Sequence, residues 1–306
     1  MPAQPASPPV LLMVFNRPAL LRRVLTALAE NRPPTVYVAA DGPRAGHPTD
    51  AARCAEVRAL VQEPLPWPCT VRLLLREENL GLQQAVTSAI DWFFAHETMG
   101  AILEDDCLPA RDFLPFVGEM LRRFESNPAV MHVSGVTMRA ARGGHDDTPS
   151  YHAAHSGHIW GWATWRRAWQ QFEPTLAAWP TVRDGYRRDP DPLRRALGRK
   201  FASAHAGRKW TWSRAWYWTM AQQRAVSIIP AVNLVENIGD GPDATHVHGR
   251  DHPLRHRFGP ALSWPLQHPS SLAVDHDYDR LLARYHRGSW RRRFADQWWA
   301  LRERLA

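Results

Sequence analysis

Gly100-Ala101-Ile102-Leu103-Glu104-Asp105-Asp106-Cys107-Leu108-Pro109 sets an apolar run directly against three consecutive carboxylates. The apolar residues read as a buried strand, which puts the acids at its carboxyl end. Adjacent carboxylates raise each other's energy when ionised unless a cation sits among them. Hard oxygen ligands of this kind suit Mg²⁺ or Mn²⁺, which keep several waters and fill their remaining positions from substrate phosphates. Open α/β sheets bind ligands just beyond the carboxyl ends of their strands, where this cluster would lie. Taken alone, Glu-Asp-Asp also reads as a solvated acidic turn. Its surroundings favour the first reading.

Working outward, the first 140 residues alternate apolar strand runs with helical patterns. Val10 to Phe15 reads as a buried parallel strand ending at Asn16-Arg17-Pro18. Leu20, Leu21, Val24, Leu25 and Leu28 then recur at helical spacing. A second strand, Val36 to Ala40, stops at the turn signal Asp41-Gly42-Pro43. Thr49 is a suitable N-cap for a helix running to about Gln62. Thr70 to Leu75 is a third strand, Gln83 to His96 a helix leading into the fourth. Asp112 to Phe124 reads as a helix and Val130 to Val136 as a strand. Such alternation predicts an α/β fold, a mostly parallel sheet flanked by helices. After Val136 the pattern changes. Arg139 to Ser156 reads as a mobile polar loop, His158 to Trp165 is an aromatic block, and Pro174 to Gln223 is basic and helix-rich. Val226 to Pro230 returns to strand character. The chain therefore divides into a disordered N-terminus at 1–9, a ligand-binding half at 10–138, a second half of the same domain at 139–260, and a C-terminal extension at 261–306.

The bulk numbers fit this reading. A chain of 306 residues with 44% hydrophobic and 22% charged residues can bury a large core. No apolar stretch approaches the roughly 20 residues that span a bilayer. The sequence opens without a charged n-region, and its three cysteines lack metal-ligand spacing. These features lead to the expectation of a cytoplasmic protein with reduced thiols. The net charge of +8 is carried by arginine, with Lys200 and Lys209 the only lysines, and favours anionic partners. Fifteen tryptophans serve either as core or as stacking platforms for sugars and bases. At the C-terminus, Trp290, Phe294, Trp298, Leu301 and Leu305 against Arg291, Arg292, Arg293, Arg302 and Arg304 make a basic amphipathic helix over 289–306. It suits peripheral contact with the inner face of an anionic membrane, or docking on its own domain.

Four segments fall at strand ends in order: Phe15-Asn16-Arg17-Pro18, Asp41-Gly42, Asn79-Leu80-Gly81 and Glu104-Asp105-Asp106. In this set the chain resembles glycosyltransferases of the GT-A fold, close to family-2-like bacterial sugar transferases. It is more distantly similar to the N-acetylglucosaminyltransferase I type, whose metal motif is also Glu-Asp-Asp. The likeness covers roughly residues 10 to 250. The downstream string Ser227-Ile228-Ile229-Pro230, Asn233-Leu234, Asn237-Ile238-Gly239 and Asp243-Ala244-Thr245-His246 adds to it. The resemblance implies a GT-A, Rossmann-like sheet with a helical, Trp-rich C-terminal elaboration. It also implies a nucleotide-diphosphate sugar donor, with a UDP-sugar first in order, and a glycan, lipid-linked or protein acceptor.

By the same resemblance, Asp106 ligates Mn²⁺ or Mg²⁺ directly, Glu104 supports the metal shell, and Asp105 contacts the ribose or a metal-bound water. Asp41 accepts a hydrogen bond from a uracil-type base. Phe15, Arg17, Asn79 and Gly81 surround the nucleotide, and Arg17 supplies a planar donor fork suited to phosphates. His246, with His248 as competitor, completes the metal shell. Trp160, Gly161 and Trp162 face the acceptor side. One position departs from the pattern. Related bacterial sequences carry an aspartate after a tryptophan, a residue able to act as general base in an inverting transfer. Here the chain reads Thr211-Trp212-Ser213-Arg214, and serine cannot do that work unaided. Asp243, and after it Glu236, are the replacement candidates. Two other classes stand beside this one. A sugar nucleotidyltransferase would show a Gly-rich loop where Asn16-Arg17-Pro18 stands. A nucleic-acid or polyanion binder would use the Trp and Arg interleaved at 209–214. The acidic triad disfavours the second, so no nucleic acid is expected.

Overall fold

The computed structural model describes residues 6–139, 149–239 and 258–287. Its centre is an eight-stranded sheet, whose strands in chain order are β1 (Val10–Val14), β2 (Thr35–Ala40), β3 (Thr70–Leu75), β4 (Met99–Glu104), β6 (Val130–Ser134), β7 (Tyr151–Ala154), β8 (Trp162–Trp165) and β9 (Val226–Pro230). A short ribbon pairs β5 (Cys107–Pro109) with β10 (Val235–Asn237) in antiparallel fashion. The spatial order is β3-β2-β1-β4-β8-β6-β9-β7. The first four strands are mutually parallel, and so are β6 and β9. β8 runs antiparallel between β4 and β6, and β7 closes the far edge antiparallel to β9. The expected α/β architecture, a mostly parallel sheet flanked by helices, is the one observed.

The sequence explains why these strands are interior. Val10 to Leu12 and Ala101 to Leu103 have almost no exposed surface, as a parallel sheet covered on both faces requires. The covering helices are α1 (Pro18–Asn31), α2 (Asp50–Gln62), α3 (Gly81–His96), α4 (Phe113–Arg123), the short α5 (Arg166–Trp169), α6 (Trp179–Arg188), α7 (Pro192–His205), α8 (Trp212–Gln222) and α9 (His276–Arg287). Two tryptophans three residues apart on β8 show how the layers lie. Trp165 donates its Nε1 proton to the carbonyl of Leu121 on α4. Trp162 instead stacks on Trp212, with 6.0 Å between ring centroids, and packs against Trp216, both of α8. A second apolar cluster joins α6, α7, α8 and α9 through Trp179, Tyr186, Phe201, Trp218 and Tyr278. Eight of the twelve tryptophans among the described residues are buried, so packing claims most of those.

Three local expectations change. Thr49 occupies the N-cap position of α2, but its side chain makes no capping bond. Asp50, the next residue, accepts instead from outside the helix, from the backbone N–H of Arg44 at 3.2 Å. The stretch 139–156 is not all loop: Tyr151, Ala153 and Ala154 bury their side chains and pair with β9. Four residues was too short a run to show strand periodicity. Part of the N-terminal tail is also ordered. Pro9 accepts the amide of Ala101 at 3.0 Å, and the carbonyl of Ala6 accepts from Arg122. The amphipathic segment 289–306 lies outside the described residues. Among the described residues, no helix is long and apolar enough to cross a membrane.

Candidate functional site

The strand order places a topological switch between β1 and β4. From β1 the chain proceeds outward to β2 and β3, then returns through α3 to β4 on the other side. The crevice at such a switch, beyond the carboxyl strand ends, is where α/β sheets hold ligands. Because β1 to β4 are parallel, their ends meet at one edge, so Phe15 and Arg17, Asp41, Arg76, and Glu104 to Asp106 are gathered there by topology alone. A cavity of about 360 Å³ opens at that edge. Its wall includes Phe15, Arg17, Asp41, Asn79, Gly81, Glu104, Asp105, Asp106 and Trp160, nine of the residues that sequence singled out.

At the centre, Arg17 is held by the carboxylates. Its Nη1 lies 2.9 Å from Asp106 Oδ2 and 3.3 Å from Asp105 Oδ1. Asp105 also accepts the Phe15 amide at 3.3 Å, which fixes the end of β1 against the end of β4. Burial, followed by the charge of Asp106, holds Glu104 and Asp105 well above the ordinary carboxylate range, and Asp105 adds to the effect on Glu104. Arg17 offsets that only in part. Burial alone would lower its guanidinium pKa, but Asp105 and Asp106 outweigh the effect and raise it. Opposite Asp106 the backbone of Gly239 passes so close that a Cβ there would stand 2.3 Å from Asp106 Oδ2. Only glycine fits at 239 without displacing the Asp106 side chain.

The other wall is built around Asp41. Asn79 donates its amide to Asp41 Oδ2 at 3.0 Å, and the Leu80 amide donates to Oδ1 at 3.0 Å. These bonds tie the end of β2 to the turn that starts α3. The Asp41-Gly42 pair follows from the same closeness: a Cβ on Gly42 would lie 2.3 Å from the carbonyl carbon of Glu78. Gly81 opens α3 with φ +73°, a left-handed conformation in which glycine is favoured.

Sequence reasoning missed several lining residues. Arg44 reaches the cavity because buried Asp50 holds it through Nε at 2.6 Å and Nη2 at 3.0 Å, over the ring of Phe15. Asp50 also receives the amide of Asn16 at 2.8 Å. The Arg44 guanidinium pushes the Asp50 carboxyl well below its usual range. Asn16 was legible as part of the Asn-Arg-Pro run, but its partner at Asp50 was not. Arg76, Thr211, Trp212, Ser213 and Asn237 complete the list of polar or aromatic wall residues not foreseen as binders.

Some expectations are placed elsewhere. Trp162 and Gly161 sit behind the cavity, not on its acceptor side. Trp162 lies between His132, at 5.1 Å, and Trp212. Gly161 has φ +59°, and a Cβ would meet Val235 at 2.5 Å, so close packing accounts for this glycine. Glu236 lies on β10 in register with Leu108 and does not line the cavity. Ser213 does line it, hydrogen-bonded to Thr211 at 3.1 Å, so the position that carries an acid in related sequences faces the same space here. Asp243, His246 and His248 lie outside the described residues. Among the described residues, no three His, Cys, Asp or Glu side chains converge as a metal shell. The donor set nonetheless fits a divalent cation. It consists of hard oxygens, and three carboxyl groups face the single guanidinium of Arg17. A larger and shallower groove of about 530 Å³, between Arg23, Glu30, Asp112 and Phe258, contains none of the expected residues.

No family model matches the chain, and no curated protein matches it. Among solved structures it is similar to a mannosyltransferase from Pyrobaculum calidifontis in complex with GDP-Man and Mn²⁺. That match has 19% identity and a TM-score of 0.37, over 73% of this chain and 72% of the other. It is similar to S. aureus TarS 1–349 at 10% identity and a TM-score of 0.40, over 73% of this chain and 57% of the other. A UDP-glucose pyrophosphorylase complexed with UDP-glucose matches at 7% identity and a TM-score of 0.37, over 73% and 90%. At identities and TM-scores this low, the likeness bears on neither mechanism nor substrate.

Proposed function

We propose that this protein is a metal-dependent, inverting glycosyltransferase that takes a sugar from a nucleotide-diphosphate donor, UDP-linked in the first instance. The observation that supports it is the convergence of Arg17, Asp41 and the Glu104-Asp105-Asp106 triad on one cavity at the switch point of the sheet. In this reading Asp41 accepts a hydrogen bond from an N–H of a uracil-type base. Asn79 and Leu80 hold its carboxylate in place by donating one N–H to each oxygen. Arg17 and Arg44 donate to the diphosphate, and Arg44 is held ready by Asp50.

Asp106, Glu104 and His246 would hold Mn²⁺ or Mg²⁺, with Asp105 oriented toward the ribose. When bound, such an ion neutralises charge that develops on the departing diphosphate. The chain's own groups exclude water by closing the floor of the cavity with Met13, Ala39, Val86 and Ala89. Ile159, Trp160 and Trp212 also line the cavity, and Trp160 gives the acceptor sugar an aromatic surface. No carboxylate stands at Ser213, so the general base is assigned to Asp243, which follows shortly after Gly239 in the sequence. Sugar nucleotidyl transfer is less well supported, because α1 begins at Pro18 and leaves no phosphate loop after β1.

The test is a panel of UDP-, GDP- and dTDP-sugars incubated with the protein and Mn²⁺, scored by hydrolysis without acceptor. Slow, Mn²⁺-dependent release of one nucleoside diphosphate is expected. Release of pyrophosphate from a nucleoside triphosphate and a sugar phosphate would replace this reading with nucleotidyl transfer.

A further inference from the structure

Beyond the cavity's Trp160 and Ser213 wall lies a group of cationic and aromatic side chains that the proposed transfer does not use. Lys200 of α7 donates from Nζ to His286 Nδ1 of α9 at 2.6 Å. With Nδ1 accepting, the proton of the neutral imidazole resides on Nε2. That nitrogen is buried and has no hydrogen-bond partner among the described residues. Arg214 of α8 acts on both Lys200 and His286 through its charge. Tyr217 and Tyr285 wall the group, with ring centroids 6.3 and 5.2 Å from that of His286. Lys200 Nζ also sits 5.8 Å from the centre of the Tyr285 ring.

The charge balance is one-sided. Burial, then Arg214, draws the Lys200 ammonium down to about 8. Burial, then Lys200, His158 and Arg214, holds the His286 imidazole well below its ordinary value. No carboxylate of the described residues is among the charges acting on either group. Two like charges and an unused N–H donor, packed together in a partly buried place, are costly unless an anion joins them. The ammonium, guanidinium and imidazole N–H supply donors of three different shapes. A tetrahedral phosphate can accept from all three, while its charge matches the two cations.

We propose that Lys200, Arg214 and His286 form a binding site for a phosphate group carried by the acceptor. The placement follows from the chain. Arg214 comes directly after Ser213 on the first turn of α8, and His158 comes directly before the Ile159-Trp160 wall. Through those two chain neighbours the site adjoins the cavity wall. That the phosphate belongs to an acceptor rests on the transferase reading; that the site takes phosphate does not.

The test uses the full chain in EDTA, so that no metal-bound diphosphate competes. Inorganic phosphate and methyl phosphate are titrated while the imidazole ¹H–¹⁵N NMR signals are followed, with His286 assigned by its loss in His286→Gln. A saturable shift of the His286 signals is expected with both probes. Lys200→Met and Arg214→Gln should each weaken it about tenfold or more. Lys200→Arg should restore most of the response, and the remote Arg22→Gln should leave it unchanged. No response at His286, or a response indifferent to both Lys200→Met and Arg214→Gln, overturns the site. If the phosphate response holds while no nucleoside diphosphate binds with Mn²⁺, the transferase reading fails and the anion site stands.

Discussion

Replacing Arg17 with methionine removes the cation that two carboxylates share while keeping most of the side-chain volume. Arg17 Nη1 stands 2.9 and 3.3 Å from Asp106 and Asp105, and the pair is largely shielded from solvent. Two unit charges about 4 Å apart interact by about 4 kcal/mol at an effective dielectric of 20. Part of this is returned by desolvation that Arg17 no longer suffers, so the net loss in metal-free protein should be about 2–4 kcal/mol. For a chain of this size that is a fall in Tm of roughly 3–6 °C. A divalent ion bound among the same acids takes over the neutralising role. At a hundredfold excess over its Kd, such an ion contributes about 2.7 kcal/mol. Thermal unfolding of both proteins, in EDTA and in saturating Mn²⁺, reads the two effects separately. Arg17→Met should be the less stable in EDTA, and it should gain more from Mn²⁺ than the parent does. Equal Tm values in EDTA, or equal gains from Mn²⁺, would refute the electrostatic account of the triad.

Other outcomes follow from single contacts. Gly42→Ala forces a methyl group to within 2.3 Å of the Glu78 backbone, so the 77–80 turn must move. A cost of about 1–3 kcal/mol in urea unfolding is expected, with weaker nucleotide binding because Asn79 and Asp41 are pulled apart. Trp162→Ala empties the stack between His132 and Trp212 and should cost about 3–5 kcal/mol in the same assay. Asp50→Asn leaves the fold but loosens Arg44, and should raise the KM for the donor more than it lowers kcat. Acid stability should report His132, which burial pushes down to about 4 and which is held neutral between Trp216 and the carbonyl of His158. The unfolded chain takes up that proton near pH 6.5, the folded chain only near 4. Stability is therefore fully present above about 6.5 and is lost as pH falls toward 4, by on the order of 3 kcal/mol. Urea unfolding at pH 7 and pH 5 checks it: His132→Gln should shrink the difference, the rest staying with His152 and His286, which burial also pulls down.

Much of the first half of the chain was legible because its signals are local. Apolar runs such as Val10 to Val14, each ended by a charged or turn residue, give both the strand and the edge at which its polar end will lie. Parallel order then brings Arg17, Asp41 and Asp106 together without any further information. The second half obeyed longer-range rules. Trp162 and Gly161 looked like binders because aromatic and glycine residues serve both recognition and packing. Only the insertion of β8 between β4 and β6 decides for packing. The Asp50 to Arg44 pair was hidden for a related reason: the acid sits in a helix's first turn, where a capping role is the simpler expectation. Lys200 and His286 are 86 positions apart and meet only because α7 packs on α9.

Calorimetric titration of UDP, GDP and dTDP into the full chain, with Mn²⁺ or with EDTA, and repeated on Asp106→Ala, addresses the cation at the sheet's edge most directly. One nucleoside diphosphate should bind with Mn²⁺ present and lose affinity by about a hundredfold in EDTA or in the variant. Binding that is indifferent to both metal and Asp106, or no binding by any of the three nucleotides, would contradict the account.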